Sequence, residues 1–67
     1  MKNTLSASGS APGADNYIRH FQIRRAEDGF SLFTWMDHAT LGMAGWKETH
    51  GLNFNDAYET ATDFLRG

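Results

Sequence analysis

The chain has 67 residues, no cysteine and a formal net charge of −2 at pH 7. At this length one small domain has a core that is barely sufficient, and without cysteine no disulfide, thiolate metal site or catalytic thiol can supplement it. The small net charge alone predicts neither nucleic-acid affinity nor strong acidity. No apolar run is long enough to span a membrane, and the basic start lacks the apolar core of a secretory signal. A soluble, cytoplasmic protein without membrane association is expected.

The N-terminal segment differs in composition from the rest of the chain. Residues 1–14 contain three serines, two glycines and the one proline of the chain, and Leu5 is the only sizeable apolar residue after Met1. Such a segment buries too little surface to offset the entropy lost on ordering. We therefore predict a disordered tail over residues 1–14 and a single α+β domain over residues 15–67.

A β-hairpin is predicted around Asp28-Gly29, which lies between two segments of alternating apolar and polar residues. Asp-Gly at such a position is a strong signal for a two-residue loop, because a type I′ turn needs positive φ at both central residues. A slip of one residue would exchange the two faces of the hairpin. Counting outward from this loop predicts the pairs Ile23–Thr34 and Phe21–Met36 on one face, and Arg24–Phe33 and Gln22–Trp35 on the other.

A third strand is predicted at Trp46–His50, antiparallel to the second. The segment is short and mixed, and the glycines Gly45 and Gly51 mark its ends. Residues 38–45 contain two glycines and no sustained period, so they are interpreted as a loop.

The C-terminal segment has the clearest periodicity. Six apolar residues from Phe54 to Leu65 recur at helical spacing and occupy one arc of about 120°. Asn53 suits the N-cap position, and Arg66 suits the carbonyl groups of the last turn. The predicted fold is therefore α+β: a three-stranded antiparallel meander with one C-terminal helix packed on one face (β-β-β-α).

The face covered by the helix is expected to form the core. Its predicted members on the sheet are Tyr17, Phe21, Ile23, Leu32 and Met36. Their predicted partners on the helix are Phe54, Tyr58, Ala61, Phe64 and Leu65.

The opposite face of the sheet is the first candidate binding surface. It is predicted to present Phe33 and Trp35 beside His20, Gln22 and Arg24. Large aromatic residues next to arginine are typical of interface hot spots, and they would also suit base stacking on single-stranded nucleic acid. The alternative is a second small core, in which Trp46 or the loop at 38–45 folds over these rings.

Charge patterning gives a second candidate surface. The first predicted strand carries arginines and no acid, whereas the helix carries Asp56, Glu59 and Asp63 on the side away from its apolar arc. These carboxylates could engage Arg or Lys of a nucleic-acid-binding partner. The alternative is that they simply keep the outer side of the helix solvated.

No pattern predicts catalysis, a metal or a cofactor. His20, His38 and His50 have neither helical nor strand spacing for a shared ligand set, and no cysteine assists them. Ser31 has no nucleophile elbow or oxyanion motif around it, and the glycines form no phosphate loop. We therefore expect a non-enzymatic protein without a metal or cofactor.

Two resemblances bear on function. Glu27–Phe33, followed by Ala44-Gly-Trp46 and His50-Gly51, resembles the middle of the MbtH-like proteins, which implies a strand-strand-strand-helix activator of adenylation domains. Gly51–Ala61, as a helix that closes a meander, is similar to small phage-encoded proteins, including anti-CRISPR inhibitors. That resemblance implies a non-catalytic protein that occupies a docking surface of a larger complex.

The function expected from the sequence is that of a small protein-binding module, an inhibitor or adaptor of phage type. The proposed surfaces are the aromatic sheet face and the acidic side of the helix. A homodimer through the exposed sheet face would also cover apolar surface. The alternatives are an MbtH-like activator and a binder of single-stranded nucleic acid, of which nucleic acid is the less favoured partner.

Overall fold

The computed structural model describes residues 4–67 as a four-stranded antiparallel sheet with one helix. Each strand pairs with its neighbour in the chain, so the spatial order β1-β2-β3-β4 is also the chain order. The α+β class, the antiparallel sheet and the C-terminal helix are confirmed, but there are four strands and not three. The elements are β1 (Thr4–Pro12), β2 (Tyr17–Ala26), β3 (Gly29–His38), β4 (Gly42–Leu52) and α1 (Phe54–Arg66), with a 3₁₀ turn at Ala14–Asn16.

The additional strand is β1. The prediction of a disordered tail over residues 1–14 is therefore wrong for Thr4–Pro12, while residues 1–3 lie outside the described residues. The small side chains of β1 bury little apolar surface, so the strand is held mainly by antiparallel backbone pairing with β2. Composition-based reasoning counts side-chain burial and misses a strand whose stability comes from a neighbouring strand.

A compact turn connects β1 to β2. Asp15 and Asn16 both have positive φ, 57° and 66°. Aspartate and asparagine tolerate this left-handed conformation better than other non-glycine residues do. The Gly13 N–H donates to the Tyr17 carbonyl oxygen at 2.7 Å, which closes the turn.

The β2–β3 hairpin forms, but its register differs from the prediction. The turn residues are Glu27 and Asp28, and Gly29 pairs with Ala26 as the first residue of β3. Within this turn only Gly29 has positive φ, 119°, so the loop is not type I′. When the loop moves by one residue along the chain, the cross-strand partner of every residue changes by two positions. Because side chains alternate between the faces with a period of two, each one stays on its predicted face. The observed pairs are Ile23–Leu32, Phe21–Thr34, Gln22–Phe33 and His20–Trp35, in place of the four predicted ones.

The third predicted strand is confirmed as β4, antiparallel to β3, but it is longer than predicted. It begins at Gly42, so residues 42–45 belong to the strand and not to a loop. Gly45 and Gly51 have positive φ, 69° and 73°, and each lies at one of the two irregularities in the β3–β4 register. These glycines therefore mark bulges within the strand and not its ends.

The core lies between α1 and the face of the sheet formed by β1, β2 and β3. Ala57 and Ala61 are fully buried, so the small face of the helix lies close to the sheet. The prediction that Phe54 and Tyr58 belong to the core is wrong, because 36% and 49% of their surfaces remain exposed on the flanks of the helix. The buried hydrophobic residues are Phe21, Ile23, Leu32, Ala57 and Ala61.

Both ends of α1 are capped. The Asn53 side chain accepts a hydrogen bond from the Asp56 N–H at 2.8 Å, as predicted. At the other end Arg66 pairs with Asp63, and Arg19 from β2 donates to the Phe64 carbonyl oxygen at 3.3 Å. The hydrogen bond to a carbonyl group of the last turn, which was expected from Arg66, is therefore made by Arg19. Among residues 4–67 no helix has the length and apolar character that a membrane span requires.

Candidate interaction surface

An array of aromatic side chains crosses the face of the sheet opposite the helix. Phe33 and Trp35 alternate along β3 with Leu32 and Thr34, which are buried on the helix side, so the two rings lie on the outer face. Neighbouring strands extend the array on both sides. We call it the aromatic row, and its members are His20, Phe33, Trp35, Trp46 and His50.

The rings of the aromatic row contact one another in sequence across three strands. The His20 ring stacks on Trp35 with centroids 5.4 Å apart and an interplanar angle of 19°. The centroid of the Trp46 ring is 5.4 Å from that of Trp35 and 5.8 Å from that of Phe33. The His50 ring meets Phe33 edge-on at 6.0 Å. Each side chain therefore limits the rotamers of the next, and the row is held in place before any partner arrives.

No described helix or loop covers the aromatic row within residues 4–67. The turn residues 39–41 connect β3 to β4, and the expected loop over 38–45 does not fold back across the sheet. Trp46 lies in β4, beside Trp35 and Phe33, and half of its surface is exposed. Trp46 therefore covers part of the half-buried Phe33 and Trp35 rings but does not close them into a sealed second core.

Glu48 fixes the β4 end of the aromatic row. Its carboxylate accepts the Trp46 indole N–H at 2.8 Å, and a second contact joins it to His50 Nε2 at 3.2 Å. These hydrogen bonds, the tryptophan first, lower the pKa of Glu48 below its ordinary value. The carboxylate therefore stays charged at neutral pH and orients the indole ring.

Ser31, His50 and Glu48 form a hydrogen-bonded chain with the order of groups found in a hydrolase triad. Ser31 Oγ lies 2.7 Å from His50 Nδ1, and His50 Nε2 lies 3.2 Å from Glu48. Ser31 is only 3% exposed, so a substrate has little access to its oxygen. The chain is better suited to positioning the His50 ring than to nucleophilic attack.

The β2 side of the surface is more polar. His20 Nε2 lies 3.7 Å from an Asp37 carboxylate oxygen, and Arg24 Nε donates to the Gln22 side chain at 3.3 Å. Beside them an open groove of about 240 Å³ follows the small side chains of β1. The residues that line it are Ser8, Gly9, Ser10, His20, Phe21, Gln22 and Trp35.

The structure brings five of the predicted site residues together and separates the other three. His20, Gln22, Arg24, Phe33 and Trp35 share the outer face, where their cross-strand partners place them. The acidic residues of the helix lie on the other side of the sheet, and two of them have local partners: Asp56 bonds Asn53, and Asp63 bonds Arg66. The third, Glu59, is exposed. The two predicted surfaces therefore cannot form one continuous site.

The basic character predicted for the first strand of the hairpin is divided between the two faces. Arg19 lies on the helix side, where it bonds the Phe64 carbonyl and stands 5.8 Å from the centre of the Phe64 ring. Arg24 is on the outer face, which it shares with the carboxylates of Asp37 at the other end of the hairpin and Glu48 on β4. The outer face is therefore mixed in charge and not basic.

Sequence reasoning missed the contribution of β4 to the surface. Trp46, Glu48 and His50 alternate along the chain, and this spacing of two could have placed them on one face with Phe33. In residues 4–67 no three His, Cys, Asp or Glu side chains come together in a group suited to a metal ion. His38 instead accepts the backbone N–H groups of Thr40 and Leu41, both at 3.1 Å.

Comparison of the chain with protein-family models, with curated proteins and with solved structures finds no match. The resemblances to MbtH-like and phage-encoded proteins stay predictions from short stretches of sequence. The geometry and chemistry of the outer face are therefore the basis for a functional proposal.

Proposed function

We propose that the protein is a small non-catalytic binding module that docks on a larger protein complex through the aromatic row. The observation that carries this proposal is the uncovered set of contacting rings, with Trp46 half exposed at its centre. Contiguous exposed aromatic surface is uncommon on monomeric proteins and typically marks an interaction site.

The composition of the outer face suits a protein partner. Tryptophan and arginine are the residue types most enriched among interface hot spots, and polar groups typically surround an apolar centre. Here Trp35 and Trp46 form the centre, while Gln22, Arg24 and Asp37 lie around it. Since the rings already contact one another, little side-chain entropy is lost when a partner binds.

Charge favours a protein over a nucleic acid. A nucleic-acid site needs a positive surface that follows the phosphates. On the outer face Arg24 shares the surface with Asp37 and Glu48, Arg19 is committed to the helix, and the chain has a net charge of −2. Single-stranded nucleic acid therefore remains the less favoured alternative.

The resemblance to small phage-encoded proteins supports the more specific role of an inhibitor or adaptor that blocks a surface of a host complex. The resemblance to MbtH-like proteins supports an alternative partner, an adenylation domain. The two roles share the docking surface and differ in the partner, so identification of the partner distinguishes them.

The experiment is affinity capture from the source organism, followed by binding measurements with the purified partner. Trp46→Ala is expected to weaken binding by about 30-fold or more, the loss of a hot spot of about 2 kcal/mol. Tyr58→Ala is the matched control, because Tyr58 is equally exposed, at 49%, but lies on the helix side. Circular dichroism verifies that both variants are folded.

The alternatives predict different results. If Trp46→Ala leaves the affinity unchanged and Glu59→Lys abolishes binding, the interface lies on the helix. That result would contradict the proposal. Steeply salt-dependent binding to a single-stranded oligonucleotide would favour the nucleic-acid alternative. Stimulation of a captured adenylation domain would support the MbtH-like role.

A further inference from the structure

We propose that two copies of this chain associate through β1, paired antiparallel about a two-fold axis at Gly9, to form one continuous eight-stranded sheet. β1 is an edge strand, because it pairs with β2 on one side and has no described strand on the other. An edge strand presents a row of unpaired backbone N–H and C=O groups that another strand can complete.

From Ala7 to Ala11, β1 lacks the features that normally prevent edge pairing, because its one register irregularity lies before this segment, between Leu5 and Ala7. Thr4–Pro12 contains no charged residue, and its only proline is the last residue of the strand. The opposite edge strand, β4, is interrupted by bulges at Gly45 and Gly51 and carries Lys47 and Glu48. Bulges and charges discourage strand addition, so the two edges of the sheet differ in their capacity to pair.

The sequence of β1 identifies the occupant as a second copy. Ala7-Ser8-Gly9-Ser10-Ala11 reads the same in both directions. In an antiparallel pair centred on Gly9, Ser8 therefore meets Ser10 of the partner subunit, and Ala7 meets Ala11 of the partner subunit. Such a pair has no steric mismatch and no like-charge contact, and serine hydroxyls opposite one another can hydrogen-bond. An isologous interface of this kind is self-complementary by symmetry.

The geometry of the pair follows from the topology. The two-fold axis is perpendicular to the sheet, so both helices lie on one face and both aromatic rows lie on the other. The β2 strands of the two copies are three strand spacings apart, about 14 Å. The groove beside Ser8 and Ser10 becomes the floor of a trough between the two rows. The inference does not depend on the proposed function, because it uses the β1 backbone and not the aromatic row.

The test is the oligomeric state of the full chain, measured by sedimentation equilibrium from about 10 µM to about 1 mM, a range that covers weak association. The expected result is a monomer–dimer equilibrium. Hydrogen exchange at β1 amides should slow as the dimer forms, while amides at the β4 edge are unaffected. A monomer throughout this range would overturn the proposal.

Paired charge variants test the location of the contact. Ser8→Lys with Ser10→Lys should abolish the dimer, because each lysine meets a lysine of the second copy. Ala39→Lys with Thr40→Lys is the matched control: it adds the same charge at the exposed β3–β4 turn and should leave the dimer intact. An equimolar mixture of the Ser8→Lys/Ser10→Lys protein with a Ser8→Glu/Ser10→Glu protein should restore a mixed dimer. Failure of that rescue in folded proteins, or loss of the dimer in Trp46→Ala alone, would overturn the proposal.

Discussion

The ring of Phe21 lies against Gly9, its cross-strand partner, so closely that a Cβ atom on Gly9 would be 2.8 Å from Phe21 Cε2. Phe21 is 4% exposed and belongs to the core. The glycine allows a core ring to cover part of β1, which has few large side chains of its own. This contact ties the edge strand to the hydrophobic core.

Gly9→Ala is therefore expected to lower the free energy of unfolding by about 1–3 kcal/mol, the usual cost of overpacking a core. Urea denaturation at a fixed protein concentration measures the change. Ser6→Ala is the control in the same strand, because Ser6 is exposed, lies outside the Ala7–Ala11 segment and should shift stability by about 0.5 kcal/mol or less. Equal effects of the two substitutions would show that the Phe21 ring moves aside without cost.

Arg19→Met should destabilise the protein by about 1–2 kcal/mol, because it removes the hydrogen bond to the Phe64 carbonyl and the cation over the Phe64 ring. Methionine retains much of the apolar stem, so the change reports on the guanidinium. Arg66→Met is the control, since its pair with Asp63 is exposed and worth about 0.5 kcal/mol or less. Thermal unfolding of both variants gives the comparison, and a larger loss for Arg66→Met would reverse the assignment of the helix cap.

The contact between Trp46 and Glu48 should give the indole fluorescence a pH dependence. The pKa of Glu48 in the folded protein lies below its ordinary value of 4.5, chiefly because the carboxylate accepts the Trp46 N–H. A lowered folded pKa stabilises the native state above the unfolded pKa, and this contribution is lost as pH falls through the folded value. In a Trp35→Phe background, which leaves Trp46 as the only tryptophan, we expect the emission to change below pH 4.5.

The control for this titration is Glu48→Gln in the same background. Glutamine can still accept the indole hydrogen bond but has no carboxyl proton to gain. The transition below pH 4.5 should disappear in this variant. If it persists, another group is responsible for the change.

Side-chain periodicity in the sequence was sufficient to predict the faces of the hairpin but not its register. The sequence predicts a loop at Asp28-Gly29, whereas the chain turns at Glu27 and Asp28 and has the positive φ one residue later, at Gly29. Ile23 pairs with Leu32 and not with the predicted Thr34, yet it lies on the predicted face. Periodicity determines the face, while the turn conformation determines the partner.

The parts of the structure that sequence reasoning missed depend on neighbouring strands. β1 has no hydrophobic pattern, and its order comes from pairing with β2 and from the fit of Gly9 to Phe21. Trp46, Glu48 and His50 alternate along the chain, but only the β3–β4 register places Trp46 beside Phe33 and Trp35. The order of β1 is not a local property, so a short window of sequence does not show it. The alternation in β4 is local and predicts a shared face, but it does not predict the neighbours of that face.

The meander topology also has a consequence for the order of folding. Every strand pairs with the strand next to it in the chain, so the sheet can grow by successive closure of short loops, which is entropically inexpensive and fast. By contrast, the bond between Arg19 and Phe64 joins residues that are 45 positions apart. We expect the hairpins to form first and the helix to dock last. The aromatic row would then be in place before the helix buries the core on the other face of the sheet.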